Sequence, residues 1–397
     1  MMQNLTVERL QPVARIQSID VLRGIVMILM ALDHVRDYFH WSAFQFDPTD
    51  FSKTSTPIFM TRWITHFCAP VFVFLAGTSA YLIGKRKGKK ALSKFLFTRG
   101  LWLIFIEITV INFAFSFNID FNFIALQVIW ALGVGMIFLS FMLYLPKRLL
   151  LVVALLIIAG HNLFDIVHVK GESLQAVLWA MLHEQQFFAY GNFNLLILYP
   201  VLPWIGVMCA GYCFGELYSS FDAVKRKRIL IIIGSICIVL FIALRFTNWY
   251  GDPSLWKVQN SSIFTALSFI NTTKYPPSLL YILMTIGPAI FFLAFIEKPL
   301  NRLGKIVSVY GRVPMFYYIL HFYFIHFGFI LAAMLIGYTW EEAIVAGPVG
   351  QRLENYGFSL PVVYLVWLVL IIILYPLCKW YDRYKTKHKE KWWLSYF

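Results

Sequence analysis

Charge is scarce in this chain. Only 14% of its 397 residues are Asp, Glu, Lys or Arg, against roughly 25% in soluble domains. Acid is scarcer than base: 20 Asp and Glu stand against 34 Lys and Arg. No polar segment between the apolar runs is long enough for a soluble domain, and the hydrophobic fraction is 60% with 38 Phe. Such a chain cannot cover its own surface in water, which excludes a set of soluble domains and implies a polytopic membrane protein. Cysteine is sparse too. Cys68, Cys209, Cys213, Cys237 and Cys378 all lie in apolar stretches, so they read as buried thiols with no disulfide framework or CxxC metal pair. No small-residue cleavage site follows the first apolar run, which reads as a retained helix rather than a signal peptide. No internal repeat supports an inverted-repeat transporter. No P-loop, GxSxG, HExxH or strand-borne GxGxxG is present. The chemistry must come from scattered polar groups that face one another across helices.

A spanning helix needs about 20 mostly apolar residues. Ten such stretches occur, at 19–39, 59–84, 92–115, 123–145, 149–168, 194–218, 229–248, 277–297, 313–337 and 359–379. The expected fold is therefore all-α, a single transmembrane domain over 1–397 with about ten helices. With the N-terminus inside and strict alternation, 26 of the 34 basic residues fall on the cytoplasmic side. Among them are Arg9, Arg15, the Lys85–Lys90 cluster, Lys225–Arg228 and the tail. Arg352 is one of the eight left outside. The positive-inside rule thus favours both termini in the cytoplasm. On that reading 1–17 is a cytoplasmic N-terminus, and the basic-aromatic tail 380–397 lies on the inner leaflet. The basic excess then marks membrane orientation, with lipids as partners rather than nucleic acid.

Ionisable groups at membrane depth are costly and point to function. The first helix is richest in them. At 100° per residue, Asp20, Arg23, Met27, Met30, His34 and Asp37 form one stripe, with Arg23 and His34 about 16 Å apart along the axis. The pattern suggests an anion held by Arg23 at one mouth and chemistry at His34 near the other, with Asp33 or Asp37 orienting the imidazole. Interfacial ion pairing and snorkelling explain the same residues without chemistry. His66, at the outer end of the second stretch, is expected at the depth of His34. Two His at one depth suit a base and its partner, and without a third or fourth ligand at usual spacing no metal is expected. Arg312 opens the ninth stretch at a position suited to a phosphate, and His321 sits nine residues on. Hydrogen bonding between helices accounts for His321 or His326 as well as catalysis does. Lys274 and Asn271, before the eighth stretch, can face a polar acceptor. Glu107, Asp165 and Glu216 are further acids within or beside apolar stretches.

Five ordered segments carry a resemblance. They are Arg15-x-x-Ser18-Ile19-Asp20-x-Leu22-Arg23-Gly24 with His34 following; His66-Phe67-x-x-Pro70 through Gly77; Tyr199-Pro-x-x-Pro203-Trp204; Tyr275-Pro276-Pro277-Ser278; and Gly311-Arg312-Val313-Pro314 through His321. Together they resemble the bacterial branch of the heparan-α-glucosaminide N-acetyltransferase family, over nearly the whole chain. The Asp-x-Leu-Arg-Gly…His34 spacing is also similar to that of acyltransferase-3 O-acyltransferases, whose corresponding His is catalytic. The resemblance implies acetyl-CoA taken from the cytoplasm and acetyl delivered to a sugar or glycan across a bacterial plasma membrane. One departure stands out: the lysosomal enzyme of the family has Asn where His34 stands, with its catalytic His later in the luminal segment. Here that segment offers His40 and His66, so His34 ranks first, His66 second and His40 third.

On this reading Arg23, Arg312, Lys305 and Asp20 form the cofactor mouth, and His34 is the base. Lys274, Asn271, His321 and Trp41 face the acceptor, although Trp41 and the other outer-loop aromatics serve as interfacial anchors equally well. Direct transfer and an acetyl-His intermediate both stay open, as do N- against O-acetylation and a monomer against a homodimer. The rival function is a proton-coupled transporter using the same stripe.

Overall fold

The structure, a computed structural model, describes residues 16–43, 45–347 and 353–395. Arg9, Arg15 and Arg352 of the charge count lie outside the described residues. The helices in chain order are α1 (Gln17–Phe39), α2 (Thr56–Ile64), α3 (Cys68–Lys87), α4 (Lys89–Ile106), α5 (Asn112–Ser116), α6 (Val128–Met142), α7 (Lys147–Gly160) and α8 (Leu174–Leu182). After them come α9 (Leu202–Phe214), α10 (Leu217–Ser220), α11 (Ala223–Thr247), α12 (Ser262–Ile270), α13 (Leu279–Ile296) and α14 (Arg302–Arg312). The last three are α15 (Pro314–Ile336), α16 (Trp340–Val345) and α17 (Leu360–Lys387). The strands are β1 (Phe123–Leu126), β2 (Gln186–Tyr190) and β3 (Phe193–Ile197).

Each of the ten apolar stretches contains a helix. Among the described residues, seven segments are long and apolar enough to cross a membrane: Thr56–Lys87, Lys89–Ser116, Lys147–Phe164, α11, α13, α15 and α17. The other three differ for physical reasons. α1 has 23 residues but carries five charged ones. α6 and α9 have 15 and 13 residues, about 20–22 Å of helix against a hydrocarbon core of about 30 Å.

The all-α expectation needs one correction. A three-stranded sheet of order β1-β3-β2 replaces helix at the start of the fourth and sixth stretches. β1 runs parallel to β3, and β2 antiparallel. Short apolar runs do not distinguish strand from helix by periodicity; here the pairing partners decide. The edge of β1 away from β3 is met by side chains. Asn112 accepts from Ala125 N at 2.7 Å and donates to Ala125 O at 3.2 Å, and Glu107 Oε1 accepts from Gln127 N at 2.8 Å. The buried acid Glu107 therefore closes a strand edge that lipid would leave unpaired.

α1 is central, packed against α3, α14, α15 and α17. It lies so close to α14 that a Cβ at Gly311 would overlap the carbonyl of Asp20, and one at Gly24 that of Val307. Small residues that let backbones touch are the usual means of helix association in lipid. Loops end in side-chain caps: Ser278 accepts from Tyr281 N at 3.0 Å to start α13, and Asn301 from Gly304 N at 2.8 Å to start α14. The five cysteines are free thiols.

Candidate active site

The second stretch is not one continuous α-helix. A 3-10 turn, Thr65–Phe67, joins α2 to α3, and Pro70 explains part of the break. Proline has no N–H, so the carbonyl four residues back, on His66, loses its helical donor. The Tyr281 hydroxyl fills that place, donating to His66 O at 2.8 Å. The buried His66 ring is thereby held 5.4 Å from the Tyr281 ring, and its Nδ1 makes no hydrogen bond.

His66 and His34 line one cavity of about 790 Å³, within the usual size of small-molecule sites. Four of the six stripe residues of α1 are in its wall: Met27, Met30, His34 and Asp37. From Asp37 down to Val26 the cavity follows α1 for about 16 Å. Arg36, Arg62, Thr65, Cys68, Gln127, Tyr199, Asn271, Lys274, Tyr275 and Tyr318 complete much of the lining.

The charge arrangement is unequal. Asp33 Oδ2 lies 2.5 Å from Arg62 and 3.7 Å from Lys274, and Oδ1 lies 3.1 Å from Arg36. Arg36 also reaches Asp37 at 2.6 Å. Three cations converge on one carboxylate, and a second carboxylate takes part of one of them. Neither Asp33 nor Asp37 hydrogen-bonds the His34 imidazole among the described residues; both are held by arginine instead. His34 packs on Phe322, ring centroids 4.3 Å apart, and on His321 at 5.2 Å. His321 is fully buried behind it, its Nδ1 3.2 Å from Tyr317 O. His321 is a neighbour of His34 rather than part of the cavity wall. His326 turns away to Ala114 O at 2.9 Å.

The Lys274 loop is fixed by residues that the sequence reading passed over or only counted as charges. Asp252 accepts from Thr273 N at 2.9 Å, Thr273 Oγ1 at 2.8 Å and Ser278 Oγ at 2.6 Å. Arg245 donates to the carbonyls of Ser268, Phe269, Ser254 and Asn271. A cis peptide bond joins Tyr275 to Pro276. Arg62 and Arg36 had also entered only as charges. Arg36 was detectable as the i+3 partner of Asp33, whereas Arg62, 29 residues away in sequence, was not.

The expected cofactor mouth lies apart from this cavity. Arg23 sits one turn beyond Met27. It ties three helices together, donating to Gly311 O at 3.1 Å and Ser79 Oγ at 2.6 Å, with Asp20 at 3.6 Å. Arg312 forks onto Asp382 at 2.7–2.9 Å and donates to Ser308 at 2.7 Å. Lys305 is exposed on α14. Trp41 lies beyond the end of α1, 47% exposed, against Phe46 and His40. The structure thus brings His34, His66, Asp33, Asp37, Lys274 and Asn271 to one cavity, and leaves Arg23, Asp20, Arg312, Lys305, Trp41 and His321 outside its wall.

A family profile described as heparan-alpha-glucosaminide N-acetyltransferase, catalytic, matches residues 15–256. No curated protein matches the chain. The matched region includes α1, the His66 turn, the strands and Asp252, and ends before the Lys274 loop, α13 and α15.

Proposed function

Because the chain belongs to the heparan-α-glucosaminide N-acetyltransferase family, we propose that it moves acetyl from cytoplasmic acetyl-CoA to an amine or hydroxyl of a sugar at the cavity. Family membership makes it a membrane acetyltransferase; donor, side and base go beyond that. The observation that carries the reading is the placement of His34. It stands in the wall of a deep cavity, beside carboxylates already neutralised by arginine and lysine. An imidazole so placed is free of a carboxylate partner and available to substrate.

The step is acyl transfer. His34 accepts the proton of the acceptor N–H or O–H as that atom attacks the thioester carbonyl carbon. The tetrahedral adduct expels the CoA thiolate by C–S cleavage, and the imidazolium returns its proton to that sulfur. Lys274, Arg62 and Arg36 supply positive charge where the carbonyl oxygen turns anionic. Asp33 keeps those three cations at fixed positions. His66 is the second candidate for the proton transfer, since it lines the same cavity and its Nδ1 makes no hydrogen bond.

Acetyl-CoA enters at the opposite, basic end. Arg23 stands outside the cavity wall, one turn of α1 beyond Met27, with Asp20 and Arg312 near the same end of α1 and Lys305 about two turns from Arg312 along α14. Arg312 reaches a phosphate only by sharing or releasing Asp382. Purified protein given labelled acetyl-CoA and a panel of amino sugars tests the reading. His34→Ala should cut transfer by about 10²–10⁴-fold with size-exclusion behaviour unchanged, and transfer at the parent rate removes His34 as the base. Arg23→Ala should weaken acetyl-CoA binding. A protein that neither binds nor turns over acetyl-CoA points to the transporter reading.

A further inference from the structure

Outside the cavity, three potential ligands meet at the junction of α7 and α8. His161 follows α7 in the 3-10 turn His161–Phe164, Asp165 comes directly after it, and His183 directly follows α8. One ligand atom from each lies within 4.8 Å of the others. His183 Nε2 is 3.0 Å from Asp165 Oδ1, and Asn162 donates to Asp165 Oδ2 at 2.8 Å.

Hydrogen bonding alone leaves this cluster unexplained. His161 is 1% exposed, yet neither ring nitrogen has a hydrogen-bond partner. His183 is 2% exposed, and its Nδ1 is likewise unpartnered. Buried polar atoms are nearly always paired, and one left alone calls for a cause. A cation at one ring nitrogen of His161 gives that atom a partner.

We propose that His161, Asp165 and His183 form a divalent-cation site of the zinc class. Two imidazoles and a carboxylate are the ligand chemistry that zinc accepts, with water in a fourth position. The Asp165 side chain is 19% exposed, so water and the ion have a route in. Zinc bonds of about 2.0–2.2 Å place tetrahedral donors about 3.4 Å apart, so donors up to 4.8 Å apart draw in by about an ångström, while the His183–Asp165 pair at 3.0 Å opens slightly as its hydrogen bond gives way to a shared ion. Asn162 holds the far carboxylate oxygen as an outer partner and also accepts from Leu279 N at 2.9 Å, at the start of α13.

The consequence is structural. None of the three residues lines the cavity, but Gln185, two residues after His183, does, and so does Leu196 of β3. The ion clasps α8 and the sheet onto α7 and so steadies that wall. This inference is independent of the acetyl-transfer reading.

The test uses the full chain in detergent, purified without a polyhistidine tag, stripped with EDTA and dialysed against zinc alone. Mass spectrometry of the metal should find about one zinc per chain, and zinc should raise the unfolding temperature. Cobalt in its place should give the visible bands of a four-coordinate site. The pair His161→Ala and His183→Ala should bind less than a tenth of an equivalent, while His168→Ala keeps the full amount. Should the double variant fail to fold, Asp165→Asn should bind zinc at least tenfold more weakly. Parent protein without zinc at micromolar free metal overturns the site, as does an Asp165→Asn variant of unchanged affinity.

Discussion

Two ends of the helix bundle handle charge differently. At the basic end, three cations are each matched to one acid. Arg312 forks onto Asp382, Arg226 onto Glu297 at 2.8–2.9 Å, and Lys147 meets Glu216. At the cavity end, Arg62, Arg36 and Lys274 crowd around Asp33. Matched pairs hold helices in place and leave little electrostatic potential. Several cations sharing one carboxylate leave positive potential facing an enclosed space, where a developing oxyanion can use it. The difference teaches that paired charges tie helices together at one end, whereas at the other several cations share one carboxylate.

Breaking the crowded centre should have the largest effect. Asp33→Asn leaves three cations facing one another at a side chain only 11% exposed. The expected loss is about 3–5 kcal/mol of stability, the range for a broken buried ion pair, together with loss of acetyl transfer. Thermal unfolding in detergent measures the first, and an unchanged midpoint would mean that Asp33 is not the hub.

Arg312→Gln comes next. Its guanidinium and Asp382 are 25% and 15% exposed, so about 1–2 kcal/mol is expected, between the surface and buried limits. Acetyl-CoA affinity measured on the same variant sharpens the comparison. If stability falls and affinity holds, Arg312 belongs wholly to the structural set.

His40, just past α1, links the cavity end to pH. Burial first, and the Arg36 cation second, push its pKa down from 6.5 to about 4. Its Nδ1 accepts from Ser42 N at 3.3 Å, which suits the neutral ring. The unfolded chain therefore binds a proton that the folded chain refuses. Stability should be complete above about pH 6.5 and decline as pH falls toward about 4. His40→Gln should flatten that part of an unfolding-temperature profile, and an equally steep decline in the variant would remove His40 as its source.

The smallest change belongs to Lys147→Ala. Both it and Glu216 are about 40% exposed, so less than about 0.5 kcal/mol is expected. A larger drop in the unfolding midpoint would show that the basic end is more tightly coupled than pairwise ties allow.

How far the sequence carried can be seen in α1. Its stripe was legible because 3.6-residue periodicity places Met27, Met30, His34 and Asp37 on one face, and all four line the cavity. Where that face points was not legible, since it depends on which helices pack beside it. Lys274 and Asn271 were found through their proline-flanked segment, yet the reason they stay in place, Asp252 and Arg245, lies about 20–30 residues earlier. The strands were missed because each run is short and its pairing partner is remote. Of the cluster at His161 only Asp165 was named from the sequence, as an acid beside an apolar stretch; His161 lies four residues before it, but His183 joins only through the fold.

By itself the sequence determined the membrane class, ten apolar stretches that each contain a helix, and the family, because hydrophobicity, local periodicity and ordered motifs are properties of the chain. The tertiary structure alone decided which charges meet. It assigned Arg312 to Asp382, gave Asp33 and Asp37 of α1 to arginine rather than to His34, and brought Tyr281 to the His66 carbonyl that Pro70 leaves free. Apart from the local pairs of Arg36 with Asp33 and Asp37, these outcomes turn on contacts between residues far apart in sequence. Coulomb energies and hydrogen bonds depend on distances of a few ångströms, and those distances exist only once the helices have packed.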